Sequence, residues 1–457
     1  MKKFDLITIG SGGGAKISSP AASMGLKVAA IEKDRLGGTC LNRGCIPSKM
    51  LIHPADVAIE IKEAFRFDIH NNPQLNVNFA KLVGRISQTV DADSDKIESS
   101  YKNHPNISFF RGKAKFAENK VIEINNERIT ADKIFIAAGT RPAIPDIPGL
   151  AGTPFMTSTE ALRNTTLPSS MIIIGGGYIG CEIGHAYGAF GTKTIFLVRS
   201  KLLRAQDAEI AAEFQKVFSH YHDVRLGAVP TRVEYSNNTF SVHYTQDEKN
   251  TSVSAQALLI ATGVTSNADT LDLSNTDIEL QPNNFIKVNE YLETNAAGVF
   301  ALGESIGRYF FRHSVNFEGE YLFGYCYGGK PRGPIHYPPM PHAVFTHPQV
   351  AGVGYSEEEL KARGIDYVVG LNPYKSSAMG MALLSDYGFC KILVERKSRR
   401  ILGGHIIGPQ ASNMIHMIIA YMNMNATLDD MLGTIYIHPA LPEIIRNAAR
   451  KAKSALD

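Results

Sequence analysis

Cysteine is scarce in this sequence, with five among 457 residues. That excludes a small secreted scaffold held together by dense disulfides. Charge of one sign is also in short supply. Forty-seven Lys and Arg stand against 44 Asp and Glu, a net +3 with a pI of about 8.4. Such a weak bias gives no reason to expect a nucleic-acid or membrane partner. No stretch approaches the ~18 uninterrupted apolar residues of a membrane span. The start, MKKFDLITIG, lacks the apolar run of a signal peptide and goes straight into a strand pattern. Low-complexity tracts and coiled-coil or collagen-like repeats are missing too. What remains is a globular chain with 44% hydrophobic and 20% charged residues. It is expected in the cytoplasm, and it is long enough for about three domains. In that compartment a cysteine pair is more often catalytic than structural.

Such a pair is present in GGTCLNRGCIPSK, residues Gly37 to Lys49, with Cys40 and Cys45 five positions apart. A zinc half-site spaces its cysteines more closely and needs a second pair or histidines, and no metal is expected here. A redox-active pair is left, and its surroundings decide whether it is one.

Those surroundings contain one long-period repeat. FDLITIGSGGGA opens the chain and SSMIIIGGGYIG returns near residue 175. Each is an apolar strand pattern running into a glycine cluster and then a helical pattern. Each is followed by a second strand, KVAAIEK and KTIFLVRS, and later by a strand ending in glycine, IFIAAGTRP and LLIATGVTSN. Gly10, Gly12 and Ala15 fit the G-x-G-x-x-G/A dinucleotide fingerprint, and Gly175, Gly177 and Gly180 fit it in full. The first glycine makes the tight turn, the second lets the backbone approach a diphosphate, and the third lets helix pack on strand. The second strands end differently. Glu32, 22 residues after Gly10, suits a free ribose diol, as in FAD. Arg199, 24 residues after Gly175 and with Arg204 nearby, suits a 2′-phosphate, hence NADPH over NADH. A solvated surface arginine is the plain alternative for Arg199.

With these pieces in this order, the chain resembles the pyridine nucleotide–disulfide oxidoreductases over essentially its whole length. GGTCLNRGCIPSK is the most specific element and IHPALPE, Ile437 to Glu443, the next. The resemblance implies an α/β chain with two Rossmann-like domains and a C-terminal mixed α/β dimerisation domain. The FAD domain would take residues 1–145 and 268–337, the NAD(P) domain 146–267, and the interface domain 338–457. It also implies roles. Cys45 would lie nearer the flavin and form the thiolate charge-transfer contact with it, and Cys40 would be the interchange thiol that forms a mixed disulfide with substrate. Lys49, paired with Glu182, would tune the flavin, and Tyr178 would cover it until nicotinamide arrives. His438, oriented by Glu443, would be the acid–base of the other subunit in a homodimer with shared sites. Lys33, Gly38, Thr39, Ala114, Ala138, Gly139, Glu304 and Gly263 fall at nucleotide-binding positions. Cys181, Cys326 and Cys390 read as structural.

The chemistry of these residue types agrees independently. Thiol–disulfide exchange needs an attacking thiolate and a base to move its proton. A histidine with a carboxylate on its second nitrogen provides that base near neutral pH. The five-residue spacing and the prolines at 439 and 442 make His438 and Glu443 a turn-held pair.

Departures from the family pattern narrow the reading. Glu304 stands where an aspartate is usual. Pro20 falls inside AKISSPAAS, where a kinked or irregular first helix is expected. Ser18 and Ser19 replace the arginines that glutathione reductases use for substrate, which argues against glutathione. The tail NAARKAKSALD has no cysteine for an extra thiol relay. Within the family the sequence is most similar to mycothione reductases, while its layout is equally close to the dihydrolipoyl dehydrogenases, which normally use NAD. A small thiol or disulfide is the expected substrate. A silent flavoprotein sensor and a single-cysteine flavin oxidase are the rivals from other classes, and the complete residue sets disfavour both.

Overall fold

The computed structural model describes residues 1–70, 75–329 and 333–456. The chain forms two compact units. The first comprises residues 1–50, 81–143 and 263–336, and the second residues 51–80, 144–262 and 337–457.

In the first unit the strand Lys2–Ile9 lies mid-sheet. It pairs in parallel with Val28–Glu32 on one side and Glu127–Ile136 on the other. Ile107–Arg111 extends the sheet beyond Val28–Glu32, and Val299–Ala301 joins Glu127–Ile136, also in parallel. A small antiparallel excursion, Lys115–Glu118 and Val121–Ile124, runs off Glu127–Ile136. Val28–Glu32 is buried at every position, as a parallel strand covered on both faces must be. The parallel pairing of Lys2–Ile9 with Val28–Glu32 requires a crossover, which the helix Ala15–Ser23 provides. That helix continues through Pro20, the residue at which the sequence predicts a kinked or irregular helix. Pro20 sits in the second half of a nine-residue helix, where a single lost amide donor leaves only one further turn to support.

Among the described residues the second unit holds three sheets. A four-stranded parallel sheet has the order Asp223–Leu226, Lys193–Val198, Ser170–Ile174, Ala257–Ile260. Beside it in sequence, Val229–Ser236, Thr239–Gln246 and Lys249–Ala255 form an antiparallel meander. The third sheet is five-stranded and antiparallel, from His342–Val344 through Val350–Gly354, Ile401–Ile407 and Phe389–Glu395 to Tyr367–Pro373. The helix Glu443–Ser454 packs on Tyr367–Pro373 through a seam of small residues. A Cβ on Gly370 would lie 2.0 Å from the Ala448 carbonyl oxygen, and Ala448, Ala449 and Ala452 are fully buried.

A buried ion cluster ties the parallel-sheet part of this unit to the antiparallel sheet. Lys391, on Phe389–Glu395, exposes 1% of its side chain. Its Nζ reaches both Asp207 carboxylate oxygens at 3.0 and 3.1 Å, Glu209 Oε2 at 2.6 Å and Glu357 Oε2 at 2.5 Å. Burial opposes the charge, but these carboxylates raise the lysine's pKa above its ordinary value. Asp207 also caps the helix Ala208–Phe218 by accepting the Glu209 N–H at 3.2 Å. Replacing the cation strands a fully buried carboxylate. Lys391→Met is therefore expected to destabilise this unit by about 3–5 kcal/mol, read as a drop in its urea midpoint. An unchanged midpoint would show that the cluster is not held by charge.

Candidate active site

The first glycine turn follows directly from the sheet. The strand Lys2–Ile9 ends at Gly10, whose φ is +95°. A Cβ there would fall 2.2 Å from the Ala137 carbonyl oxygen, so only glycine passes beneath the neighbouring strand's end. At Gly12 a Cβ would point into a space bounded by Gly38 Cα at 3.6 Å and Arg312 Nη1 at 3.7 Å. A side chain would fill this approach to the following helix, while glycine leaves it clear for a diphosphate. Glu32 is buried where its strand ends. Its Oε2 accepts the Ser11 N–H at 2.9 Å and the Ser11 hydroxyl at 2.7 Å, and its Oε1 accepts the Asp34 N–H at 2.9 Å. Carboxylate oxygens have further lone pairs for a ribose diol. These residues fit FAD.

Ser11 also accepts the Gly37 N–H at 3.0 Å, which fastens the glycine turn to the cysteine segment. Buried Asn42 holds that segment from inside, donating to the carbonyls of Leu36 at 2.9 Å and Gly38 at 3.1 Å. Of the other nucleotide positions, Lys33 and Thr39 are exposed, and Ala114 is buried. Asn267 Nδ2 donates to the Ala138 carbonyl at 2.9 Å, and the Gly139 N–H donates to Ser305 Oγ at 2.9 Å. Gly263 has φ +118°, and its carbonyl accepts the Ala143 N–H at 2.9 Å. Glu304 accepts the Thr140 hydroxyl, and burial raises its pKa despite that bond. The longer acid at this position is thus accommodated by a partner within the unit.

Cys40 lies on the short helix Gly38–Arg43, and Cys45 begins the helix Cys45–Glu63. Cys40 is half-buried and Cys45 exposed. Their electrostatics differ. The hydrogen bond from Cys45 is the main cause that lowers the Cys40 pKa to about 7, against burial and with help from Arg312 and Lys49. Cys45 is pushed up chiefly by donating that bond, and the charge on Cys40 adds to it. Lys49 lies one helical turn after Cys45 and is half-buried. The remaining cysteines are chemically quiet. Cys181 and Cys390 are buried, which raises their pKa values, and burial pushes Cys326 up to about 12.

The second unit repeats the turn. Gly175 has φ +125°, and a Cβ there would lie 2.2 Å from the Ala261 carbonyl oxygen, the counterpart of Gly10 and Ala137. Gly177 has nothing within 4 Å of its Cβ position, and Gly180 packs against Gly175 and Ala261. The turn fits a pyridine nucleotide diphosphate. Arg199 follows the strand Lys193–Val198 and is exposed, as is Arg204. Neither makes an ion pair among the described residues. Tyr178 is exposed at the start of the helix Tyr178–Ala189, and buried Glu182 accepts the Phe345 N–H at 3.0 Å.

His438 and Glu443 come together as the spacing predicts. Glu443 opens the helix Glu443–Ser454 and is buried, while the His438 side chain is 70% exposed. The carboxylate oxygens lie 3.0 and 3.1 Å from His438 Nδ1. The Ala440 N–H at 3.3 Å and Arg446 Nη2 at 2.8 Å also engage the carboxylate. Although burial opposes it, these donors hold the Glu443 pKa below its usual value. With Nδ1 facing the acid, Nε2 is left for proton exchange.

Two residues were not singled out by the sequence reading. Ser11 sits inside the fingerprint as one of its unspecified positions. Arg312 lies far along the chain, and only folding brings it to Gly12.

The sequence matches the family described as "Pyridine nucleotide-disulphide oxidoreductase" over residues 4–317 and its "dimerisation domain" over residues 340–449. Mycothione reductase of Mycobacterium tuberculosis is 34% identical over 460 residues, covering 98% of this chain and 99% of that protein. Dihydrolipoyl dehydrogenase of Chlorobaculum parvum is 32% identical over 458 residues, covering 98% and 96%. Among solved structures, the HOCl-induced flavoprotein disulfide reductase RclA from Escherichia coli aligns with a TM-score of 0.87 at 26% identity, over 99% of this chain and 100% of that one. The glycine turns, the thiol pair and these matches agree: the chain belongs to the pyridine nucleotide-disulphide oxidoreductases, as an FAD-dependent enzyme that carries the family's dimerisation domain.

Proposed function

We propose that the enzyme uses NADPH to reduce a small disulfide other than glutathione disulfide, in the manner of the mycothione reductases. The observation that carries this reading is the Cys40–Cys45 segment fastened to the nucleotide turn by the Gly37 N–H on Ser11 Oγ, with the hydrogen bond from Cys45 lowering the Cys40 pKa, as suits an exchanging thiol. FAD, held by the Gly10–Gly12 turn and Glu32, would supply the two-electron relay between the nicotinamide and the Cys40–Cys45 disulfide. The reduced Cys40 thiolate then attacks one sulfur of the substrate RS–SR. A mixed disulfide forms, and the leaving RS⁻ takes a proton from His438 of the partner subunit. Cys45 loses its proton to that base and attacks Cys40 Sγ, which restores the intramolecular disulfide and releases the second thiol. The balance is NADPH + H⁺ + RSSR → NADP⁺ + 2 RSH. Glu443 fixes the histidine tautomer, Lys49 and Glu182 take the family's flavin-tuning role, and Tyr178 yields to the nicotinamide.

The finer choices rest on particular residues. Ser18 is buried and bonded to the Tyr101 hydroxyl at 2.8 Å, so no cation stands where glutathione reductases carry theirs. Arg199 and Arg204, exposed and without ion-pair partners among the described residues, support NADPH. A second reading, NAD-dependent dihydrolipoyl dehydrogenase, is favoured by relatives 30–32% identical over 97–98% of this chain. Steady-state assays with mycothiol disulfide, lipoamide and glutathione disulfide, each with NADPH and NADH, decide between them. Fastest turnover of lipoamide with NADH would overturn the first reading.

Three outcomes are expected. Thiol titration of the oxidised enzyme, denatured before and after NADPH, should gain two groups from Cys40 and Cys45; no gain removes the exchange mechanism. Arg199→Glu should weaken NADPH use by about 2–4 kcal/mol through lost pairing and added repulsion, with NADH use little changed. Equal loss with both would separate Arg199 from the 2′-phosphate. Finally, His438→Ala and Cys40→Ser homodimers, each inactive, should regain activity on subunit exchange. A mixed dimer has one site with both defects and one with neither, so equal mixing restores about one quarter of wild-type sites. Confirmed exchange without activity would mean that His438 serves its own chain.

A further inference from the structure

The helix Arg312–Tyr327 seats its first turns directly on the nucleotide turn. A Cβ on Gly13 would fall 2.6 Å from Val315 Cγ1, and one on Gly319 would fall 2.6 Å from Lys16 Cβ. Glu318, on the same helix, accepts the Gly303 N–H at 2.5 Å. Arg312 precedes Val315 by three residues and so shares its helix face. Its Nη1 lies 3.7 Å from the point where a Gly12 Cβ would sit. The guanidinium is half-buried, and it has no hydrogen bond or ion pair among the described residues. The N–H groups of Gly12 and Gly13 likewise donate to nothing among the described residues. A cation and two backbone donors thus lie together at the approach that the second fingerprint glycine leaves clear. A half-buried cation is costly without a counter-charge, and an anion at this approach would supply one.

We infer that Arg312 is a binding residue for the FAD diphosphate, a cation added to the glycine turn from a helix that begins 300 residues after Gly12. The fingerprint on its own supplies backbone N–H groups and the start of the helix Ala15–Ser23. A helix start is worth only about half an elementary charge, whereas a diphosphate carries two formal negative charges. The guanidinium adds a full positive charge that no accessible pH removes, and its planar fork can donate two parallel N–H bonds to phosphate oxygens. Gly12 is part of the same arrangement, because a side chain there would take up the space between the turn and Nη1. The inference concerns how the flavin nucleotide is held. It does not depend on which disulfide or which nicotinamide the enzyme uses.

The test measures FAD retention by the holoenzyme, without turnover. Holoenzyme is diluted in steps, free FAD is separated by ultrafiltration, and the dissociation constant is read from flavin fluorescence. Arg312→Gln and Arg312→Met should each raise it about 10- to 100-fold, the loss of one hydrogen-bonded charge pair. Arg312→Lys keeps the charge without the fork and should raise it by less than about tenfold. Methionine keeps the apolar stem, so a role in packing alone would leave Arg312→Met at the wild-type value and make Arg312→Lys no better than Arg312→Gln. Either result overturns the inference, as does wild-type retention in both neutral variants. The flavin midpoint potential separates the two ends of the cofactor. A cation on the diphosphate leaves the potential unchanged when it is removed. A cation at the flavin ring would favour the more negative reduced ring, so its removal would lower the potential. Weaker retention together with a lowered potential would therefore move Arg312 to the ring and overturn the diphosphate assignment. Should Arg312→Met not fold, the comparison of Arg312→Gln with Arg312→Lys carries the decision.

Discussion

The first unit depends on a contact between two backbones. A Cβ added to Gly38 would fall 2.6 Å from Gly12 Cα, so the nucleotide turn and the cysteine segment touch where neither has room for a side chain. Any residue larger than glycine at position 38 would force them apart, and φ +68° there already favours glycine. This contact brings a diphosphate-binding helix start and a redox thiol pair onto one support. Ser11 reinforces it from the polar side, bonded to Glu32 and Gly37 together. Nucleotide binding and thiol chemistry are in this way consequences of one local geometry, and a change in either segment is transmitted directly to the other.

The second unit uses the same solution for a turn without any cysteine. Gly10 beneath the Ala137 carbonyl and Gly175 beneath the Ala261 carbonyl meet the same 2.2 Å constraint. Steric exclusion of this kind admits one residue type, which is why both turns are legible in the sequence. The His438–Glu443 pair is legible for a related reason, since its partners lie five residues apart and local chain geometry brings them together. Pro20 shows the limit of local rules, because a helix packed against a sheet tolerates one missing donor near its end.

Long-range electrostatics left no comparable trace. Lys391 stands in FCKILVE, a run that reads as a buried strand, and its carboxylates lie 34 to 184 residues away. Nothing in the spacing of Asp207, Glu209 and Glu357 marks them as partners of one ammonium. Arg312 is hidden in the same way, at the start of an ordinary helix. Sterics between neighbours can be read from residue types, while the pairing of distant charges emerges only with the fold.

The thiol pair shows what such distant charges add. Two sulfurs in hydrogen-bond contact do not ionise independently. The first proton to leave puts a negative charge beside the second thiol and makes its loss harder. A reduced pair near neutral pH is therefore one thiolate and one thiol, and the surroundings choose which is which. Here the choice falls on Cys40, which accepts the bond from Cys45 and has Arg312 and Lys49 to stabilise its charge. A thiol with a pKa near ambient pH combines a useful thiolate fraction with retained nucleophilicity, whereas a much more acidic one would be a weaker nucleophile. In the exchange proposed above, capture of Cys40 in a mixed disulfide would remove the hydrogen bond and the charge that raise the Cys45 pKa, so the coupling between the sulfurs favours the proposed order of the two steps.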